Sequence, residues 1–213
     1  AEARRLGTAL HEHCERDLNG DGAPPPAELE REVALYEAFK ASDWCATLAP
    51  YRTEVSVAYR APDGTVVCAG RLDAVFTDGE GRFVVVDWKR SKHALTAQRG
   101  YFGAMGNGVA SHLAATPFHR YSLQVSAYAV MLAQSQGIDA GDRLYLVRLH
   151  PSLKAPEVVR CRDLRAEAIE MLEIEHQRLL AETGAEAAGA PGPCPATRIS
   201  LGESEGGSGR IGL

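Results

Sequence analysis

The sequence has 213 residues, of which 45% are hydrophobic and 24% charged, and its formal net charge is −5 at pH 7. These values are ordinary for a soluble globular protein, and the length allows one well-buried domain and a tail. The charge gives no overall sign of nucleic-acid or membrane binding, and no apolar run is long enough to span a membrane. The five cysteines are scattered without a C-x-x-C pair, which argues against a zinc knuckle and a secreted disulfide framework. We therefore expect an intracellular protein, in a compartment that the sequence does not specify.

Hydrophobic periodicity predicts the elements in chain order. Two helices come first, over residues 3–18 and around 29–39, and three strands follow, at 51–60, at 66–76 and from 83 onward. A helix around 121–132, a hairpin at 144–149 and 158–161, and a last helix from an N-cap at Asp163 to Gly184 complete the series. This order predicts an α/β fold class with a central mixed β-sheet flanked by helices. Residues 1–183 would form that domain, and residues 184–213, rich in Gly, Ala, Pro and Ser, a disordered tail.

The stretch VVVDWKRS, residues 84–91, ends an apolar strand with two charged side chains. Asp87 and Lys89 are two positions apart, so they project from the same side of the sheet. Turn residues at 77–81 indicate a hairpin centred near Glu80, in which Asp73 lies opposite Asp87. Two opposed carboxylates at about 5 Å repel each other unless a proton or a cation lies between them. A divalent metal is the economical explanation.

Four short motifs occur along the chain: G-x-x-x-H at 7–11, G-R-L-D at 70–73, D-W-K at 87–89 and Q-x-x-x-Y at 124–128. Together they resemble the PD-(D/E)xK nuclease superfamily, and the first and last resemble its RecB-like exonuclease branch. The resemblance covers roughly residues 1–180 and follows the order of the family. It implies a restriction-endonuclease-like core.

The resemblance also implies a divalent cation, Mg²⁺ or Mn²⁺, held by the carboxylates of Asp73 and Asp87. The backbone carbonyl of Trp88 and the ring of His11 would be further ligands. Hard oxygen donors suit Mg²⁺, and such an ion generates hydroxide from water and stabilises charge on phosphorus. No iron–sulfur cluster is expected, because the scattered cysteines do not match those of the relatives that carry one.

Three further residues receive roles from the resemblance. Lys89 would orient the attacking water or bind the scissile phosphate, and Gln124 would hold that lysine or a phosphate. Tyr128 lies on the apolar stripe of its helix, so we expect it to pack in the core with its hydroxyl turned toward the site and the substrate. Many members have Thr after the lysine, where this chain has Arg90, so the phosphate contacts stay open.

Simpler interpretations exist for the same residues. The two aspartates could be strand-end carboxylates paired with neighbouring cations, and His11 could be a histidine on a helix surface. Gln124 could be a solvated side chain beside the core stripe. Glu15 and Glu54 could either surround the site or be ordinary exposed glutamates.

The segment from 88 to 120 contains no Asp or Glu. Its basic residues are candidates for substrate binding: Lys89, Arg90, Lys92, Arg99 and Arg120. The aromatic residues Tyr101, Phe102 and Phe118 lie among them. Basic side chains contact phosphates and aromatic rings stack on unpaired bases, although a solvated Gly-rich loop is an equal alternative.

The predicted function is a metal-dependent nuclease that hydrolyses DNA phosphodiester bonds. We expect an exonuclease that acts on single strands or ends in repair, recombination or replication. The alternative is a catalytically silent nuclease-like domain that binds nucleic acid without cutting it. No membrane partner is expected.

Overall fold

The computed structural model describes residues 2–22, 24–97 and 103–186. Five helices lie in these residues: α1 (Glu2–Leu18), α2 (Glu30–Lys40), α3 (Asp43–Ala46), α4 (Pro117–Gln136) and α5 (Arg165–Glu186). Five strands accompany them: β1 (Leu48–Arg60), β2 (Val66–Asp78), β3 (Phe83–Lys89), β4 (Leu144–Arg148) and β5 (Glu157–Arg160). Short 3₁₀ turns occur at Ala27–Leu29 and Gly108–Ala110.

The five strands form one sheet in the order β1-β2-β3-β4-β5. Strands β1, β2 and β3 pair antiparallel, β3 and β4 pair parallel, and β4 and β5 pair antiparallel. The parallel step requires a crossover between β3 and β4, and α4 lies in that crossover. The predicted mixed sheet flanked by helices is therefore confirmed.

Helices cover both faces of the central strand β3, which explains its unbroken apolar run. Val84, Val86 and Trp88 pack in a cluster with side chains of α1 and α2. Val85 points the other way, into a cluster built largely by α4. Because side chains alternate along a strand, Asp87 and Lys89 project toward α4. The packing of the two cores thus fixes the side on which the charged pair lies.

Helix α4 begins and ends at sequence features of the expected kind. The Thr116 hydroxyl accepts a hydrogen bond from the backbone N–H of His119, and Pro117 occupies the first turn. The helix ends at Gly137, whose φ of 68° is left-handed. These caps fix where the helix begins and ends, and its apolar residues pack in the same cluster as Val85 of β3.

The structure differs from the predicted elements at several boundaries. Strands β1 and β2 extend beyond the predicted ranges, and the one-turn helix α3 was not predicted. Asp163 was predicted to be the N-cap of the last helix, but α5 begins at Arg165, whose N–H donates to the Asp163 carboxylate. Helix α5 continues two residues past Gly184, to Glu186, and the predicted tail from 187 onward lies outside the described residues. None of the helices in the described ranges has both the length and the apolar character needed to cross a membrane.

Candidate active site

The register of the β2–β3 hairpin is the one that the turn residues predicted. Ala74 pairs with Val86, one position before Asp73 and Asp87 would meet. The backbone pairing of the two strands ends at that pair. Beyond it, the side chain of Asp73 makes the next contact, because its Oδ2 accepts a hydrogen bond of 2.8 Å from the backbone N–H of Trp88. The Asp73 carboxylate is therefore fixed to the end of β3 through the main chain.

Helix α1 supplies the second contact of Asp73. His11 Nδ1 lies 3.1 Å from Asp73 Oδ1. Burial alone would lower the pKa of His11, but the Asp73 carboxylate outweighs this and raises it to about 9. In turn, burial would raise the pKa of Asp73, but the charge and hydrogen bond of His11 together with Lys89 hold it below its usual value. Asp73 is accordingly a partly buried carboxylate whose ionised form is stabilised by its partners.

Asp87 and Lys89 form a buried pair at the end of β3. Asp87 is 3% exposed and Lys89 5%, and Lys89 Nζ lies 2.7 Å from Asp87 Oδ2. Burial raises the pKa of Asp87 to about 6, and the nearby Asp73 charge adds to this although Lys89 opposes it. Among the described residues, this ammonium is the charged partner of the buried Asp87 Oδ2. In this arrangement the Lys89 ammonium thus occupies the position where a cation would contact Asp87 Oδ2.

The Lys89 ammonium also contacts helix α4. Nζ donates a hydrogen bond of 3.2 Å to Gln124 Oε1, and it lies 4.5 Å from the centre of the Tyr121 ring. Gln124 Nε2 donates to the Tyr128 hydroxyl at 3.4 Å. The pKa of Lys89 is raised, because the charges of Asp87 and Asp73 outweigh the effect of burial. Lys89 is therefore held as a cation by β3 and α4 together.

The structure brings together the predicted residues His11, Asp73, Asp87, Lys89 and Gln124, with Tyr128 next to them. Two features of the site were missed by the sequence reasoning. Tyr121 received no role in the predicted site, although its position three before Gln124 on a helix indicates a shared face. The partner of Arg90, the buried Glu32, lies 58 positions away and has no local signal.

Glu54 lies on β1 next to the position of Asp73 in the sheet. Thr53 pairs with Ala74 and Val55 with Leu72, so Glu54 comes opposite Asp73. Its φ of 48° is left-handed, which is unusual for a residue other than glycine. Burial raises the pKa of Glu54, although its ion pair with Arg71 opposes this. Glu54 therefore adds a carboxylate to the β1 side of the site.

The donor groups of the site fit a hard divalent cation in chemistry. The buried carboxylate of Asp87 and the partly buried carboxylate of Asp73 offer oxygen donors, and the His11 ring contacts Asp73. In the described ranges, however, no three His, Cys, Asp or Glu side chains are grouped as a ready metal site. His11 and Lys89 contact the two aspartates instead.

The candidate substrate-binding residues differ in their exposure and in their interaction partners. Arg90 donates to Glu32 at 2.7 Å in a largely buried ion pair, rather than reaching into solvent. Lys92 is exposed, and Arg120 lies over the Tyr121 ring at 5.1 Å. Phe118 is buried in the core, which contradicts an exposed stacking role. Arg99, Tyr101 and Phe102 lie outside the described residues.

Comparison with known proteins identifies the family of the chain. A family model for the PD-(D/E)XK nuclease superfamily matches residues 1–199, and the chain belongs to this superfamily. The predicted membership of the superfamily is thereby confirmed. Members of the superfamily generally use divalent metals, and their substrates are nucleic acids. No curated protein matches the sequence significantly.

The solved structures that match this chain include the following two. A candidate exonuclease from Eubacterium rectale matches with a TM-score of 0.50 and 11% identity, over 90% of this chain and 77% of that one. The protein SSO0001 matches with a TM-score of 0.37 and 15% identity, over 80% of this chain and 73% of that one. At such identities the first likeness concerns the fold alone.

Proposed function

We propose that the chain is a divalent-metal-dependent nuclease that hydrolyses DNA phosphodiester bonds, as an exonuclease on single strands or ends. The observation that carries the proposal is the buried Asp87–Lys89 pair beside Asp73. Burying charges costs free energy, and such clusters occur most often where chemistry needs them. Repair, recombination or replication of DNA would be the setting of this activity.

The metal would be held by Asp73 and Asp87, with the carbonyl of Trp88 and the ring of His11 as further donors. The two carboxylates are the hard ligands that Mg²⁺ and Mn²⁺ prefer. When bound, such an ion supplies a hydroxide nucleophile and stabilises the charge that develops on the phosphoryl oxygens.

Lys89 would act as a cation in this reaction. In the metal-free site the charges of Asp87 and Asp73 raise the pKa of Lys89, which favours the ammonium over the neutral amine that a general base would need. An ammonium can instead donate to a phosphate oxygen or to the attacking water. Gln124 keeps Nζ in place through a hydrogen bond of 3.2 Å. Lys89 would thus contribute through its position and its positive charge.

Substrate contacts outside the cluster would come from Lys92 and Arg120. Neither has a carboxylate partner among the residues that the structure describes, so both are available to phosphates. Arg99 stays a further candidate from the sequence. Arg90 is less suited to this role, because its guanidinium balances the buried Glu32.

The test uses end-labelled single-stranded and double-stranded DNA and RNA with Mg²⁺, Mn²⁺ or EDTA. We expect metal-dependent cutting of single-stranded DNA from an end, abolished by Asp87→Asn and by Lys89→Ala. The exposed Lys154 provides a matched control, since Lys154→Ala removes a charge outside the site. Cutting in EDTA, or by either site variant, would contradict the proposal. Binding without cutting under every metal condition would instead identify a silent nucleic-acid-binding domain.

A further inference from the structure

Tyr121 contacts the ammonium of Lys89 through its ring. Lys89 Nζ lies 4.5 Å from the ring centre, closer than Arg120, whose guanidinium carbon is 5.1 Å from it. A cation within about 6 Å of an aromatic face is attracted by the ring quadrupole, most strongly where water is excluded. Tyr121 is 8% exposed and Lys89 5%, so their contact is a desolvated one.

We propose that Tyr121 is a positioning residue for Lys89, a role that rests on the nuclease function proposed above. The ammonium has a carboxylate on one side, Asp87, and the amide oxygen of Gln124 on another. A cation bound to the Asp87 carboxylate would compete with the ammonium for that contact, and a phosphate oxygen would compete with the Gln124 oxygen for the ammonium. The Tyr121 ring cannot be drawn away in this manner, because it is anchored in the core under α4. It therefore keeps Nζ at the site while its polar contacts change.

The ring face, rather than the hydroxyl, carries this role. Tyr121→Phe should consequently retain the kcat of the wild type, whereas Tyr121→Leu should lower kcat about 10- to 30-fold with little change in KM. A change in kcat alone indicates an interaction that matters mainly in the transition state. Phe118→Leu is the matched control, because Phe118 lies on the same helix, packs in the same core cluster and is equally exposed at 8%.

A shape-preserving series separates the electrostatic role from packing. Phenylalanine and a trifluorinated phenylalanine at position 121 both leave an aromatic ring in place. The fluorine atoms withdraw electron density from the ring face, which weakens its attraction for a cation. We expect kcat to fall with fluorination while the melting temperature and KM stay constant. Equal kcat values across the series would overturn the proposal, as would a loss in Tyr121→Leu no larger than that in Phe118→Leu.

A second measurement does not depend on catalysis. The sequence has four lysines, so selective labelling of the lysine side chains gives few NMR signals, and Lys89→Arg assigns the one of interest. The Lys89 ε-protons should show a ring-current shift that Tyr121→Phe keeps and Tyr121→Leu removes. Lys40, which lies 5.0 Å from the Tyr36 ring centre, is the internal reference that neither variant changes. An unshifted Lys89 signal in the wild type would disprove the contact, whereas absence of nuclease activity with a shifted signal would count against the proposed function alone.

Discussion

Gly70 lies so close to Tyr128 that a β-carbon at position 70 would be 2.6 Å from Tyr128 Cε1. This separation is too short for any real contact, so the absence of a side chain at Gly70 leaves the space that the tyrosine ring fills. The Tyr128 hydroxyl accepts a hydrogen bond from Gln124, which in turn accepts one from Lys89. Gly70 on β2 is therefore connected to the Lys89 ammonium through two side chains of α4.

Gly70→Ala should displace the Tyr128 ring and, through Gln124, the Lys89 ammonium. Because small displacements at a reacting centre are costly, we expect kcat to fall about 10- to 100-fold. Gly79→Ala is the matched control, since a β-carbon there meets nothing within 4 Å. Steady-state cleavage of labelled DNA measures both variants. Equal kcat values for the two alanine variants would show that the position of Tyr128 is unimportant.

Gln124→Leu should lower kcat without unfolding the protein. The amide oxygen accepts a hydrogen bond from a charged donor, Lys89, and such bonds contribute about 1.5–3 kcal/mol, or roughly a 10- to 100-fold change in rate. Gln134 lies on the same helix and bonds instead to the backbone of Arg60. Gln134→Leu should thus reduce the melting temperature but leave kcat unchanged. If Gln124→Leu cut as fast as Gln134→Leu, the amide would have no role in holding Lys89.

The features of the site that the sequence predicts are those that depend only on residues close together in the chain. Alternation along β3 places Asp87 and Lys89 on one side, and the turn at 77–81 fixes the hairpin register that the pairing of Ala74 with Val86 confirms. Helical spacing likewise puts Gln124 and Tyr128 on one face of α4. These rules involve only neighbours in sequence, so no tertiary information is needed.

The remaining features depend on contacts between distant segments. The expected repulsion between the two aspartates raises the pKa of Asp87 but not that of Asp73. The reason is that His11 and the Trp88 N–H already stabilise the ionised Asp73 carboxylate. That asymmetry depends on where α1 docks, which no local pattern specifies. The same holds for Arg90, whose partner Glu32 is 58 positions away. A basic residue after the lysine motif therefore looked like a phosphate contact, whereas its nearest carboxylate is inside the protein.

Arg90→Ala should destabilise the fold strongly. Glu32 is 2% exposed, and removing the guanidinium leaves its carboxylate buried without a counter-charge, which costs about 3–5 kcal/mol. Urea unfolding measures the loss, and the double variant Arg90→Ala with Glu32→Gln should recover part of it by removing the buried charge. Normal stability of Arg90→Ala, combined with a raised KM for DNA, would instead assign Arg90 to phosphate binding.

Lys92→Ala and Arg120→Ala should each weaken the binding of single-stranded DNA and reduce its dependence on salt. Every lost phosphate contact should decrease the slope of log K against log salt by about 0.7. Binding is measured in EDTA with the Asp87→Asn variant as background, so that no strand is cut. Arg178 is the matched control, because it is engaged by Glu175 and Glu182 on α5. A slope that changes as little as in Arg178→Ala would exclude Lys92 and Arg120 from the substrate path.

Asp73→Asn should destabilise the metal-free protein. Both oxygens of the carboxylate face donors, His11 on Oδ1 and the Trp88 N–H on Oδ2, and the pKa of Asp73 is lowered accordingly. An asparagine presents one oxygen only and turns an NH₂ group toward the other donor. The expected loss is about 1–3 kcal/mol, measured by urea unfolding in EDTA. A more stable Asp73→Asn would mean that repulsion from Asp87 exceeds these two contacts.

Adding Mg²⁺ should widen the stability difference between the wild type and Asp73→Asn. A ligand that binds only the folded state stabilises it by about 2.7 kcal/mol at a hundred times its Kd, and a variant with a weakened site gains less. Asp78 lies at the far end of the same strand, where its carboxylate accepts hydrogen bonds from Arg82. Asp78→Asn should therefore lose stability by the same amount with and without Mg²⁺. If Mg²⁺ stabilised Asp73→Asn as much as the wild type, Asp73 would be a structural carboxylate and not a metal ligand.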